Sequence, residues 1–253
     1  MSKSVSRVVL AVTAVAALGL VTACSGDSDG DKKSDKSSEQ TTEKTPGGDK
    51  ALAAPLSKAD LDKAVIVKAD VKGFEVEKMT DKEYADGGAA KAAKTECQPL
   101  AQMMGAEQNP VPKASAYATF ASGAAAGGDD ADLGLTGMIR VSSYAEAGAE
   151  QTISDLRGAL KTCAGGFKAT DGSGDKADIS KVDTLTAPKL GDEALAYTVT
   201  DKQEGAAVKF TVVRSGTHLS VFFGVNIANP AKSEIPEAVV SAQVAKLEKA
   251  LKA

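Results

Sequence analysis

LAYTVTDKQEGAAVKFTVVRSGTHLSVFFGV, residues 195–225, holds three runs in which apolar residues recur at every second position. These are Leu195, Tyr197 and Val199; Val208, Phe210 and Val212; and Leu219, Val221, Phe223 and Val225. A period of two puts each set on one face of a strand. Ser215-Gly216, between the last two runs, has the size and residue type of a two-residue hairpin loop, so those strands pair antiparallel. A parallel doubly wound sheet would need a helix between successive strands, and this stretch leaves no room for one. The stretch predicts an α+β domain in which helices cover an antiparallel sheet.

Outward from this stretch, further elements fit the same plan. A turn at Asp171 to Asp175 precedes a weaker strand over Ile179 to Thr186. Ser115 to Ser122 reads as a strand, and Leu133, Leu135, Gly137, Ile139 and Val141 mark one face of another. Gly123 to Asp132, between them, is too long for a tight hairpin. Phe74 and Val76 alternate with Glu75 and Glu77, as in a strand with one buried face. Among the helices, Ser57 is placed to cap one that carries Leu61 and Val65, with Asp60 at its third position. Ala89 to Met104 suggests a helix or helical turn, limited by Pro99. Ser143 and Glu146 have capping-box spacing ahead of Ala149, Ile153, Leu156, Leu160 and Cys163, which recur along one helical face and stop at Gly165-Gly166. Pro236 suits the first turn of a last helix with Val240, Val244, Leu247 and Leu251 on its apolar side.

The chain opens differently. Lys3 and Arg7 form a positive n-region, Val8 to Leu20 an apolar run, and Val21-Thr22-Ala23 places small residues before Cys24. This has the parts of a secretory signal, and Val8 to Ala23 falls short of the roughly 20 apolar residues that cross a bilayer. The pattern looks like a bacterial lipobox. That implies cleavage before Cys24, a diacylglycerol on its thiol and an acyl chain, palmitate for example, on the new amino terminus. From Ser25 to Pro55 the residues are Ser, Asp, Lys, Glu, Thr and Gly with almost nothing to bury, so the expectation is a disordered tether. The predicted organisation is a signal over 1–23, a lipidated cysteine and tether over 24–55, and a globular domain over 56–253, with two small domains as the alternative. The expected location is the extracytoplasmic face of the cell membrane.

Net charge is −4, and loss of Lys3 and Arg7 with the signal takes it to −6. Both signs are interspersed, which argues against nucleic acid, whose binding needs clustered Lys and Arg. Aromatics are 4% of the chain and Trp is absent, so the core must be built from Val, Leu, Ile and Ala. Assigning Cys24 to lipid leaves Cys97 and Cys163, which export would place where disulfides persist; two buried thiols are the other reading.

Motifs for chemistry are sparse. His218 is the lone histidine, so a His-based metal site has too few ligands, and no Gly-x-Ser-x-Gly elbow supports a triad through it. Its parity is opposite to Leu219 and Val221, so it is expected at the surface or on the back of the sheet. No phosphate-cradling glycine loop occurs, and Asp129-Asp130 and Asp192-Glu193 are adjacent pairs of the solvated-loop kind. The four tyrosines are scattered along the chain, which argues against an aromatic sugar platform. The expectation is a protein that is not an enzyme, with no catalytic residue, cofactor or metal.

Five short segments carry a family resemblance: Leu56 to Leu61, Cys97-Gln98-Pro99-Leu100, Ser143-Tyr144 through Gly148-Ala149 to Cys163, Leu190 to Ala194, and Val213 to Thr217. In these the chain resembles actinobacterial surface lipoproteins and the extracellular sensor domain of PknH-type kinases. Those sensor domains carry two disulfides, whereas one pair is available here. The resemblance implies a membrane-anchored domain that binds or senses an unknown ligand. The partner would be a small molecule or an envelope protein, besides the membrane held through the lipid. A transporter-associated solute-binding protein and an envelope protein-interaction module are the alternatives.

Overall fold

The alternation over residues 195–225 folds as three consecutive antiparallel strands of a larger sheet. The computed structural model describes residues 54–122, 134–202, 205 and 207–253, all in one compact unit, Asp49–Ala253. The signal, Cys24, nearly all of the tether and the Gly123 to Asp132 connection lie outside the described residues.

Nine strands are described: β1 Phe74–Met79, β2 Lys91–Ala92, β3 Ala114–Ser122, β4 Leu135–Ser143, β5 Phe167–Thr170, β6 Lys176–Leu185, β7 Glu193–Asp201, β8 Ala207–Ser215 and β9 His218–Asn226. They form one sheet in the order β1-β3-β4-β9-β8-β7-β6-β5-β2, with every pairing antiparallel. The helices are α1 Lys58–Ala64, α2 Asp81–Ala85, α3 Gln98–Met103, α4 Gly148–Thr162 and α5 Glu237–Ala250.

Both faces of the sheet are covered. Leu100, Ile153 and Leu156 of α3 and α4 pack with Leu195, Phe210, Val212, Leu219 and Val221 on one side. Leu61, Val240, Val244 and Leu247 of α1 and α5 pack with Phe120, Ile139, Val213 and Phe222 on the other. Strand β9, between β4 and β8, is therefore buried on both faces, not only on the face that its Leu219-Val221-Phe223 alternation marks.

Close backbone approaches fix two glycines. A Cβ at Gly137 would stand 2.1 Å from the Phe223 carbonyl and 2.4 Å from the Phe120 ring. Gly166 has φ 90° and a Cβ there would meet the Ile179 carbonyl at 2.1 Å, so it lets the chain leave α4 and enter β5 close alongside β6.

Ser57 caps α1 as its position suggested, accepting from the Asp60 N–H at 3.3 Å. Ser57→Ala is expected to cost about 1 kcal/mol of stability by denaturant melting, and an unchanged midpoint would contradict the cap's contribution.

Three local expectations are overturned. Ala89 to Met104 is not one helix: β2 pairs with β5, a turn of 3-10 helix spans Thr95–Cys97, and only then does α3 begin, with Pro99 in its first turn. The sheet edge took residues that local propensity would have coiled. The Ser143–Glu146 box does not form, because Ser143 ends β4, Glu146 adopts φ 47°, and α4 starts from Ala147 without a side-chain cap. A capping box forms instead at Thr80 and Glu83, opening α2. Pro236 stands just before α5 as its N-cap, not inside the first turn.

Cys97 and Cys163 form a disulfide with Cα atoms 5.9 Å apart. It ties the start of α3 to the end of α4, inside the core that those helices share. The reading as two thiols is thereby set aside.

Candidate functional site

The sheet face beneath α3 and α4 carries one side chain foreign to an aliphatic core. Arg140 stands in β4 between Ile139 and Val141, with its side chain on the opposite face from theirs. Register places it beside Tyr117 of β3 and Val221 of β9. It is 3% exposed.

Arginine occurs at positions 7, 140, 157 and 214. Arg157 and Arg214 each meet Glu193 at 2.9 Å, and Arg214 also lies 3.6 Å from Asp192 and Glu150. Arg140 has no ion-pair partner among the described residues. One terminal nitrogen donates to the Tyr84 hydroxyl at 2.5 Å, the other to the Met103 sulfur at 3.4 Å, and Nε has no hydrogen-bond partner. An uncompensated buried cation is costly, and a guanidinium cannot escape by losing its proton.

Phenols surround this charge. Tyr84 lies 6.0 Å from the guanidinium carbon at its ring centroid and stacks flat on Tyr117, with centroids 3.8 Å apart and planes 12° apart. Burial opposes the Arg140 charge, but the Tyr84, Tyr144 and Tyr117 phenols outweigh it, so its pKa stays above the ordinary value. Burial pushes the Tyr144 phenol up, against the Arg140 charge, and its hydroxyl has no hydrogen-bond partner among the described residues. The Tyr197 phenol is also raised by burial, with the Arg140 charge opposing, and its hydroxyl has no hydrogen-bond partner among the described residues.

All four tyrosines of the chain thus gather about one arginine. Their scatter in sequence concealed this, since residues 84, 117, 144 and 197 come from α2, β3, the loop before α4, and β7. The legible signal was Arg140 itself, a permanent charge in the middle of a strand otherwise suited to burial. Such a centre can hold the oxygens of an anion or a polar ligand.

The opposite face carries a second polar group. His218, expected near the surface, is 0% exposed. Its parity does differ from Leu219, but the back of the sheet is itself a core, under α1 and α5. The backbone N–H of Leu56 donates to Nε2 at 3.2 Å, so Nε2 is an acceptor and the proton resides on Nδ1. The Ser143 hydroxyl lies 3.0 Å from the same nitrogen, and Nδ1 meets the Thr217 hydroxyl at 3.3 Å. A serine beside a histidine invites comparison with a hydrolytic pair, but Nε2 is already engaged by Leu56 and the serine is itself fully buried. The group closes the start of the domain against the sheet. Burial, offset in part by the Ser215 backbone, lowers the His218 pKa to about 4.

Among the described residues no group of three His, Cys, Asp or Glu side chains is placed to hold a metal ion. An open depression of about 450 Å³ at the β2-β5-β6 end of the sheet is lined by Lys91, Lys168, Lys176 and Asp178. These side chains lie at the surface and none stands out from ordinary solvated charge. Cys24 lies outside the described residues.

No protein-family model and no curated protein matches the chain. Solved structures do. The extracellular domain of PknH from Mycobacterium tuberculosis aligns with a TM-score of 0.52 over 79% of this chain and 100% of that one, at 13% identity. An uncharacterized protein from Mycobacterium smegmatis aligns over 77% of this chain and 96% of its own at 14% identity, but its TM-score of 0.38 is too low to carry an argument. The chain shares the fold of the PknH extracellular domain.

Proposed function

We propose that this protein is a lipid-anchored sensing domain of the extracytoplasmic surface, and that it binds a small ligand at Arg140. Residues 1–23 serve as its signal, Cys24 bears the lipid, and 24–55 hold the domain away from the membrane. The observation that carries the ligand site is Arg140: a buried guanidinium bonded to the Tyr84 hydroxyl and the Met103 sulfur, with Nε unused and no carboxylate paired to it among the described residues. A core built for stability alone would be at least as stable with an apolar residue there, so the charge is kept for something it meets. The shared fold with an extracellular kinase domain supports a sensing role, as does the signal at Val21 to Cys24. One continuous sheet, without two lobes about a cleft, weighs against the solute-binding alternative.

The site is tested on the detergent-solubilised full chain and its Arg140→Met variant, each incubated with a small-molecule extract of the cell envelope and growth medium and examined by native mass spectrometry. Wild type is expected to gain a discrete adduct that Arg140→Met lacks while keeping its fold by circular dichroism. An adduct that survives the substitution, or no adduct on wild type, would contradict the reading. The anchor is tested by feeding cells an alkyne fatty acid. Label is expected on wild type and lost in Cys24→Ala; label retained by the variant would refute lipidation at that residue.

A further inference from the structure

The arrangement around Arg140 also narrows what the ligand is and how it gets in. We infer that the site takes a planar aryl carboxylate, which replaces Tyr84 on the Arg140 guanidinium and on the Tyr117 ring, lifting α2 away as a lid. This rests on the reading of Arg140 as the binding centre, and it adds the chemical class of the ligand and the moving part.

Tyr84 is the sole buried residue of α2, and Asp81, Lys82, Glu83, Ala85 and Asp86 around it are exposed. A five-residue helix has little stability of its own, so what holds it to the domain is this buried side chain together with the exposed Lys58–Asp81 ion pair at 3.2 Å, which contributes little. Tyr84 makes three contacts: the flat stack on Tyr117, the bond from Arg140 to its hydroxyl, and a bond from that hydroxyl to the Gly105 carbonyl at 3.2 Å. Tyr117 is half-buried and lies on β3 just under the helix, at the margin of the site.

A neutral phenol is a weaker match for a guanidinium than a carboxylate is, because it accepts one hydrogen bond from it and brings no net negative charge. A carboxylate accepts two in a parallel fork and cancels the charge, which makes the interaction shorter and stronger. One negative charge is what the site requires. Arg140 supplies a single positive charge, so a dianion such as a phosphate monoester would leave an unpaired negative charge in the core. The flat stack sets the body of the ligand: an aromatic ring bearing the carboxylate would keep the contact with Tyr117 that the Tyr84 ring gives up. Tyr84 thus occupies the empty site with a weaker version of the ligand's own chemistry, and its departure with α2 is the change that binding produces outside.

Benzoate is the probe, with benzamide as its neutral isostere and phenylphosphonate as its dianion, titrated by calorimetry into the detergent-solubilised full chain. Wild type is expected to bind benzoate saturably and the other two at least about tenfold more weakly. Tyr84→Ala, which removes the competitor, is expected to bind benzoate about tenfold tighter, because the closed state no longer reduces the competent fraction. Tyr84→Phe keeps the ring and the packing but gives up the hydroxyl, and is expected to tighten benzoate by a smaller factor, which guards against a Tyr84→Ala protein that does not fold. Binding of benzamide equal to benzoate, or Tyr84 variants that bind benzoate no tighter than wild type, would overturn the inference. If the envelope adduct depends on Arg140 but neither wild type nor the Tyr84 variants bind benzoate, the carboxylate class falls and the site stands; if the adduct is indifferent to Arg140, the site itself falls.

Discussion

Cys97→Ala/Cys163→Ala is expected to lower the unfolding free energy of the chain by about 4 kcal/mol. The bridge spans 66 residues of sequence, and in the chain-entropy account most of its stabilisation comes from denying the unfolded chain that loop. Both half-cystines are buried in the core under α3 and α4, so the alanines also forfeit packing around Leu100, Leu160 and Phe167. The bridge also bears on the surroundings of Arg140, because α3 ends at Met103, which touches Arg140, and runs into Gly105, whose carbonyl holds the Tyr84 hydroxyl. Denaturant unfolding of the two proteins measures the difference. A loss below about 1 kcal/mol would mean that the helices pack as firmly without the bridge.

The second large effect is pH-dependent. His218 has its pKa lowered to about 4 in the folded chain, against an ordinary value near 6.5. The unfolded state therefore binds the proton more readily, so the contribution is intact above about pH 6.5 and is lost as pH falls toward 4. Linkage puts the loss at about 2 kcal/mol between pH 7 and 5, rising to about 3 by pH 4. The physical event is the proton reaching Nε2, where it meets the Leu56 N–H instead of leaving an acceptor for it. Asp70 and Glu193 also have lowered pKa values, Glu193 against its burial through Arg157 and Arg214 and Asp70 through Lys246, but their contributions begin to be lost only as pH falls below about 5, where the unfolded carboxylates start to take up protons. Stability measured from pH 7 to 5 isolates the histidine. His218→Asn keeps an acceptor without a titration and is expected to flatten the slope in that window; an equal slope in both proteins would contradict the assignment.

The secondary structure was readable where one element faces one core. α4 showed itself through Ile153, Leu156 and Leu160, and β7 to β9 through their alternation, because each presents a stripe to a single neighbour layer. The pairing of Cys97 with Cys163 followed from counting cysteines once Cys24 was set aside. What failed was local chemistry that tertiary contacts reassigned. Ser143 and Glu146 have the spacing of a cap, yet pairing of β4 with β9 extends to Ser143 and His218 and takes the serine into the sheet. His218 was misplaced because parity tells which face a residue occupies and not whether a helix covers that face. The site was the least legible part. Successive tyrosines lie between 27 and 53 residues apart, and only the sheet register and the placement of α2 bring them to Arg140.

That gathering is the centre of the account, and the side-chain Nε–H of Arg140 reports on it directly. Besides Arg7 the arginines are Arg140, Arg157 and Arg214, so the ¹⁵N spectrum of arginine side chains holds few signals, and Arg140→Met assigns the one in question. On titration with benzoate the Arg140 Nε–H resonance is expected to shift saturably while those of Arg157 and Arg214, already paired with Glu193, stay in place. An Arg140 resonance unmoved at saturating benzoate and in the envelope extract that yields the adduct would contradict a binding centre at this residue.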